Sequence, residues 1–391
     1  MQSNVKKTTS DSLIDLPLQP NGTKVQWSYL DKQFSSEKME QVFDLFRSFI
    51  PTGDFTLGKP LQEFEAKFAK LIGTKHALGV NSGTDALKLS LKALGVGYGD
   101  EVITTANTFV ATVGAIAETG AKPVFVDCTD NFCMDVSQVE KAITSKTKAI
   151  MPVHYAGQMT DMPALLEIAK KHNLPVVEDS CQCILGNIDG KNSGTWGNTG
   201  AFSLHPLKNL NVWGDGGMIV TNDDTLADTL GKMRNHGLAG RDEVVMLGCN
   251  SRLDTLQAVI GNWLIGDVHK ITDTRIRNAK ILDEGLGAIP QITIPPRLKN
   301  RKLVFHLYIV FAERRDELMK FCKEKGIQTK VHYPVPIYRQ PALVNLCGHK
   351  EGDFPVTDRH AKNMISFPAH DHLTEAQVNY IVQTVNQFYK G

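Results

Sequence analysis

The sequence has almost no excess charge of either sign. Its 391 residues include 43 Lys and Arg and 42 Asp and Glu, which leaves a formal charge of +1. Binding to nucleic acid or to an anionic membrane usually requires a surplus of basic residues. The charge balance therefore argues against both kinds of partner. With 42% apolar residues, the composition is that of a soluble globular protein that buries a sizeable core.

Long apolar runs are also missing. The opening stretch MQSNVKKTTSDSL lacks the apolar segment of a secretory signal. No run of about 18 apolar residues occurs anywhere, as a membrane-spanning helix would require. We therefore expect a cytoplasmic protein with no membrane partner.

Cysteines are few and irregularly spaced. The chain has seven, an odd number without a repeating spacing, which is typical of reduced thiols in a reducing compartment. Cys181 and Cys183 form a CxC pair, but no second pair follows at the spacing of a zinc site. His370 and His372 likewise have no third ligand at metal spacing. The sequence thus predicts no metal site.

The chain divides into three segments. Residues 1–25 are polar and aperiodic, with Pro17 interrupting any helix, and predict a loosely held arm. Residues 26–265 alternate amphipathic helices with short apolar strands, which predicts a large domain with a mainly parallel sheet covered by helices on both faces. Residues 266–391 begin with proline-rich connections and mix strands, among them IQTKVHY, with helices. They predict a smaller α+β domain.

The segment NSGTDAL, residues 81–87, joins a strand-like run, HALGV, to an amphipathic helix. Such a turn exposes the first amides of the helix, and its glycine lets the backbone approach a ligand closely. Together with the Thr84 hydroxyl, it forms an anion site suited to a phosphate. An ordinary helix N-cap by Ser82 or Thr84 explains the same residues. Taken alone, the segment leaves both interpretations open.

The segment VVEDSCQ places Asp179 at the carboxyl end of a buried strand, where open α/β sheets bind ligands. A carboxylate there needs a cationic partner. A pyridinium nitrogen would suit it, because the ion pair keeps that nitrogen protonated and makes pyridoxal phosphate (PLP) an electron sink. Gln182 would then donate a hydrogen bond to the ring oxygen. The alternative is a helix N-cap aspartate followed by a surface glutamine.

The segment GAFSLHPLKNLNVWGDGGMIV carries Lys208 in a turn between two strand-like runs. A lysine held among small and apolar residues has a lowered pKa and can act as an amine nucleophile. Most lysines are instead solvated at the surface. Here the other two segments favour the reactive lysine.

In this order, NSGTDAL, VVEDSCQ, FSLHPLKN and GDGG, followed by RNHGL, GCNSRLDTLQAVIG and GIQTKVHYPVPIY, resemble the DegT/DnrJ/EryC1/StrS family of sugar aminotransferases. The resemblance runs from about residue 25 to the C-terminus. It implies an α/β fold-type I PLP-dependent transferase, with a mainly parallel seven-stranded sheet between helices and a smaller α+β C-terminal domain. It also implies a homodimer that transfers an amino group from L-glutamate to a keto sugar, in amino-sugar or lipopolysaccharide biosynthesis.

The resemblance also implies roles for individual residues. Lys208 would bind the cofactor covalently and catalyse, Asp179 would face the pyridine nitrogen, and Gln182 would lie near the ring hydroxyl. A non-catalytic regulator would require the loss of Lys208 or Asp179, and neither is lost. The remaining cofactor contacts would be Gly83, Thr84 and Ser203 to the phosphate, Phe109 stacked on the ring, and Asn250 to the phosphate of the neighbouring subunit.

The segments HPLKNLNVWGDGG, NSRLDTLQAV and PAHDHLT look more like the branch that aminates an oxidised octulosonic acid to 8-amino-3,8-dideoxy-octulosonate. That acceptor carries a carboxylate, for which Lys330 or Arg252 would supply a cation. Most members of the family act instead on nucleotide-linked 3- or 4-keto hexoses. A PLP-dependent lyase or decarboxylase would use the same cofactor residues. Ile184 and Leu185 stand where the family commonly has His and Gly. We therefore expect this departure to affect the acceptor pocket rather than the cofactor chemistry.

Overall fold

The computed structural model describes residues 14–19 and 22–391. The predicted arm, residues 1–25, therefore lies largely outside the described residues. In its described part, the Ile14 amide donates to Gln383 Oε1 at 2.8 Å. Ile14 and Leu16 also pack against the apolar cluster of the C-terminal segment. These contacts hold residues 14–16 against the last helix.

Regular elements run through the described chain. The strands are β1 (His76–Val80), β2 (Glu101–Thr105), β3 (Lys122–Val126), β4 (Thr147–Met151), β5 (Val177–Asp179), β6 (Asn187–Ile188), β7 (Lys191–Asn192), β8 (Thr199–Ser203), β9 (Gly217–Thr221), β10 (Ile292–Thr293), β11 (Arg301–Lys302), β12 (Tyr308–Ala312) and β13 (Met364–Phe367). The helices are α1 (Leu30–Gln33), α2 (Ser36–Phe49), α3 (Lys59–Ile72), α4 (Gly83–Ala93), α5 (Val110–Ala117), α6 (Val139–Ala142), α7 (Met162–Lys171), α8 (Asp224–Met233), α9 (Thr255–Leu264), α10 (Val268–Leu286), α11 (Arg315–Glu324), α12 (Pro341–Cys347), α13 (Pro355–Asn363) and α14 (Glu375–Lys390).

Seven strands of the described chain form one continuous sheet, in the order β3-β2-β4-β5-β8-β9-β1. Two parallel bridges, Ile150 with Val176 and Val153 with Asp179, connect β4 to β5. Within this sheet, β9 runs opposite to the other six strands. This confirms the predicted mainly parallel seven-stranded sheet of the fold-type I transferases.

Helices cover both faces of the sheet, which explains the run of three apolar residues, 218–220, in β9. Met218 and Val220 join the cluster that contains Phe64 of α3, whereas Ile219 joins the cluster on the opposite face, which contains Leu87 of α4. A strand buried on both faces has no polar side to alternate with. Within the described ranges, no helix has both the length and the apolar character that a membrane span needs.

The C-terminal segment has its own three-stranded antiparallel sheet, β10-β12-β13, packed against α10, α11 and α14. Helix α14 begins with the capping box formed by Thr374 and Gln377. The predicted strand IQTKVHY is wrong. Ile327 pairs with Val25 and Lys330 with Ser366, each as an isolated bridge. Because the backbone of this segment bonds to two different neighbours, no continuous ladder forms.

Candidate active site

A cavity of about 400 Å³ lies at the carboxyl ends of the parallel strands. Its walls include residues that end or directly follow β1, β2, β4, β5 and β8, the edge where α/β sheets bind ligands. Most of the predicted site residues line it: Gly83, Thr84, Phe109, Asp179, Gln182, Ser203 and Lys208. Asn250 does not line the cavity. It is exposed, and its backbone pairs with Asn235.

Asp179 is a buried carboxylate that forms no close ion pair with the described residues. It is 5% exposed. Its Oδ2 accepts a hydrogen bond from the Thr112 hydroxyl at 2.7 Å, and its Oδ1 accepts one from the Cys181 amide at 3.2 Å. It forms no ion pair within 4.0 Å in the described part of the chain. Because an unpaired buried charge is strongly unfavourable, the site fits a ligand that brings a cation to Asp179.

Lys208 lies in the turn that follows β8. Its backbone amide donates to the His205 carbonyl at 2.8 Å, and its own carbonyl accepts from Asn211 Nδ2 at 3.1 Å. Burial lowers the pKa of the Lys208 amine below its ordinary value of 10.5, and the nearby Cys181 and Asp179 side chains oppose part of that shift. A lowered pKa leaves more of the amine neutral, which is the nucleophilic form.

The start of α4 is both capped and closely packed. The Ser82 hydroxyl accepts a hydrogen bond from the Asp85 amide at 3.1 Å, so Ser82, rather than Thr84, is the N-cap. A Cβ atom at Gly83 would lie 2.8 Å from Ser203 Cβ, and one at Gly217 would lie 2.3 Å from the Ser82 carbonyl oxygen. Glycines thus let β9 and the end of β8 approach the helix N-terminus, where an anion is favoured.

Two further predicted residues lie at the same cavity. Gln182 Oε1 accepts a hydrogen bond from the Ala156 amide at 2.7 Å. The group that Gln182 can offer a ligand is therefore its Nε2 donor. Phe109 precedes α5 and is 49% exposed, and its ring centroid lies 5.6 Å from that of Tyr333. These groups together fit PLP. The amide donor of Gln182 suits the ring oxygen, the Phe109 ring suits the cofactor ring, the N-terminus of α4 suits the phosphate, and the Asp179 carboxylate suits the pyridinium nitrogen.

The sequence did not reveal a buried chain of contacts behind Lys208. Arg275 of α10 is 3% exposed, and its Nε lies 3.5 Å from Asp371 Oδ1. Its Nη2 donates to the Tyr29 hydroxyl at 3.0 Å, and that hydroxyl donates to the Lys208 carbonyl at 3.3 Å. Tyr29 lies 179 residues before Lys208, so no local pattern could have signalled this contact. The sequence also did not reveal the contact of Thr112 with Asp179, although Thr112 lies one helical turn after Phe109, which was predicted to be at the site.

Three further polar side chains line the cavity, whereas Arg252 lies outside it. His205, His332 and Lys330 line the cavity. Burial, with Lys330 and Lys208 nearby, lowers the pKa of His332 to about 4. Arg252 does not line the cavity, and its Nη1 donates to Asn235 Oδ1 at 2.8 Å. Of the two predicted cations, Lys330 is therefore the one at the site.

Known proteins resemble the chain along almost its whole length. Residues 36–386 match the DegT/DnrJ/EryC1/StrS aminotransferase family. The chain is 43% identical over 364 residues to a pleiotropic regulatory protein of Geobacillus stearothermophilus, covering 92% of this chain and 96% of that one. It is 38% identical over 362 residues to a dTDP-3-amino-3,4,6-trideoxy-alpha-D-glucose transaminase of Streptomyces venezuelae, with 92% and 95% covered. It is also 38% identical over 338 residues to a UDP-N-acetyl-3-dehydro-alpha-D-glucosamine 3-aminotransferase of Acidithiobacillus ferrooxidans, with 86% and 90% covered.

Solved structures give the same relationship. DesV of S. venezuelae superposes with a TM-score of 0.91 at 36% identity, covering 94% of this chain and 99% of that one. The Bacillus subtilis protein NtdA, solved with pyridoxamine phosphate bound, has a TM-score of 0.88 at 29% identity, with 94% and 86% covered. The chain therefore belongs to the DegT/DnrJ/EryC1/StrS family of sugar aminotransferases, and it is a PLP-dependent aminotransferase of fold-type I.

Proposed function

We propose that this enzyme transfers the amino group of L-glutamate to a keto hexose linked to a nucleoside diphosphate, with Lys208 as the catalytic lysine. The observation that carries the proposal is the meeting of Lys208 with Asp179, a buried carboxylate that forms no ion pair within 4.0 Å among the described residues, in one cavity. When bound there, PLP supplies an electron sink for the carbon that bears the amino group.

Asp179 would keep a proton on the pyridine nitrogen of the bound cofactor. Burial limits the screening of this ion pair, and the bonds from Thr112 and from the Cys181 amide fix the two carboxylate oxygens. The other cofactor contacts are those implied by the family resemblance: Gln182 to the ring oxygen, Gly83, Thr84 and Ser203 to the phosphate, and Phe109 against the ring.

Lys208 has two tasks. Its amine would hold the cofactor covalently until the amine of the donor displaces it. The freed amine would then serve as a general base and a general acid, moving a proton between the substrate carbon and the cofactor carbon. Its lowered pKa supports both tasks, because a neutral amine is needed to attack and to accept a proton.

The choice of acceptor is supported by the relatives. The S. venezuelae relative is named for a dTDP-linked hexose and the A. ferrooxidans relative for a UDP-linked one. The octulosonate acceptor stays a prediction from the sequence. Turnover should be compared on UDP-, GDP- and dTDP-linked keto hexoses and on 8-oxo-3-deoxy-octulosonate, with glutamate fixed. We expect activity on a nucleotide-linked acceptor, and activity on the octulosonate alone would overturn the proposal.

In this proposal the enzyme works as a homodimer, in which Asn250 reaches the phosphate of the partner's site. Asn250 is exposed and outside the cavity of its own chain, and the segment before it exposes Val244, Val245 and Leu247, the last 92% exposed. Exposed apolar side chains of this kind favour an interface. Sedimentation should give a dimer, and a monomer with full turnover would contradict this. A cytoplasmic location and a part in lipopolysaccharide biosynthesis stay predictions.

A further inference from the structure

A groove of about 680 Å³ opens beside the active-site cavity. Trp27 and Lys330 line both spaces, so the groove adjoins the cavity at these two residues. The remaining walls come from the segment before α1, from α11 and from the segment after it: Thr23, Ser28, Met319, Lys320, Lys323, Gly326, Ile327, Gln328 and Thr329.

The groove is strongly basic, although the chain as a whole is nearly neutral. Lys320, Lys323 and Lys330 line it, and all three are exposed. Its lining includes no Asp or Glu, and none of the three lysines forms an ion pair within 4.0 Å among the described residues. The acidic residues of α11 lie outside the lining of the groove: Asp316 and Glu317 pair with neighbouring arginines, and Glu324 follows Lys323 at the end of the helix. Three lysines without a close ion-pair partner among the described residues therefore line one wall.

The junction between cavity and groove is well defined. The Trp27 ring stacks on that of His332, with centroids 5.3 Å apart, and the Lys330 ammonium lies 5.2 Å from the Trp27 ring centroid. His332 lines the cavity that holds Lys208. A substituent that leaves a sugar bound in the cavity by this route would meet Lys330 first and the two lysines of α11 next.

We infer that this groove binds the diphosphate of the nucleotide-linked acceptor, with Lys330 at the junction and Lys320 and Lys323 farther out. This inference rests on the proposed function. The diphosphate bridge carries about two negative charges near neutral pH, and lysine ammonium groups are common point-charge partners of phosphate. The three lysines thus determine specificity for an acceptor with a diphosphate over one with a single carboxylate.

The test uses the holoenzyme, the double variant Lys320→Glu/Lys323→Glu, and Lys170→Glu as a matched control. Lys170 of α7 is also exposed, forms no ion pair in the described part of the chain, and lines neither space. The measurements are the KM for the nucleotide-linked keto hexose and the Kd for UDP and for dTDP alone by calorimetry. The half-reaction with glutamate, which involves no diphosphate, reports whether each variant retains an intact catalytic site.

We expect the double variant to raise the KM and the nucleotide Kd by about tenfold or more relative to Lys170→Glu, because hydrogen bonds to charged groups are lost and repulsion is added. The KM of the wild type should rise with salt more steeply than that of the double variant. Equal KM and Kd values in the double variant and the control would overturn the inference that the groove binds the diphosphate, while leaving the proposed function standing. Failure of the wild type on every nucleotide-linked acceptor would overturn the proposed function itself.

Discussion

The substitution Asp179→Asn tests the ion pair on which the proposed chemistry depends. Asparagine keeps the size of the side chain and removes its charge. The amide oxygen can still accept from the Cys181 amide, and the Thr112 hydroxyl can turn to accept from the new amide group. We therefore expect the fold to survive and the cofactor to lose the group that keeps its ring nitrogen protonated.

The size of the effect follows from the burial of Asp179. The carboxylate is 5% exposed, so its interaction with a cation is little screened by water. Breaking a buried ion pair by neutralising one partner costs about 3–5 kcal/mol. If that loss falls on the transition state, the rate decreases by about two to four orders of magnitude, since each 1.36 kcal/mol is a factor of ten.

The assay is the half-reaction of the holoenzyme with L-glutamate, followed through the absorbance of the cofactor. Asp215→Asn is the matched control, because Asp215 lines the same cavity but is exposed, and its charge is screened. We expect a small change in the control and the large one in Asp179→Asn. Near-normal turnover in Asp179→Asn, with the cofactor bound, would refute the assignment of Asp179 as the pyridinium partner.

Three further predictions concern Lys208 and the helix N-terminus. Lys208→Ala should abolish turnover and leave the circular dichroism spectrum unchanged, since the fold does not need the amine, and steady turnover would reject its role. Because burial lowers the Lys208 pKa, the rate of PLP uptake by the apoenzyme should increase with pH and level off below pH 10.5. In Asp179→Asn the rate should level off at a still lower pH, because this variant lacks a charge that raises the Lys208 pKa. A plateau at or above pH 10.5 in the wild type would contradict this. Gly217→Ala should weaken PLP binding by about tenfold, because its Cβ would press on the Ser82 carbonyl at 2.3 Å. Gly231→Ala, whose Cβ would make an ordinary contact at 3.6 Å, should bind PLP normally. Equal PLP affinities of the two variants would contradict the need for a close approach of Gly217 to the start of α4.

Much of the large domain could be predicted from local patterns. The run of apolar residues in β9 is buried on both faces of a mainly parallel sheet, and such strands are recognisable because apolar and polar residues do not alternate along them. The capping box of Thr374 was equally local. The run IQTKVHY misled because its side chains line a cavity and a groove, while its backbone bonds to two different segments.

The contrast between local patterns and contacts of distant segments also holds at the site. Asp179 ends β5 and Lys208 lies in the turn after β8, so each could be identified from a short local segment, whereas their meeting in one site was implied by the family resemblance. Arg275 and Tyr29 were missed, because their hydrogen bond joins residues 246 positions apart. The basic groove was missed for the same reason, since Trp27 and Lys320 come from opposite ends of the chain.

The most direct test of the central claim is the reaction of the holoenzyme with L-glutamate in the absence of an acceptor. The absorbance of the cofactor and the release of 2-oxoglutarate should be measured together in the wild type and in Lys208→Ala. We predict conversion to the pyridoxamine form with one 2-oxoglutarate released per active site in the wild type, and none in the variant. No conversion in the wild type, or equal conversion in both proteins, would contradict the assignment of Lys208 as the catalytic residue of an aminotransferase.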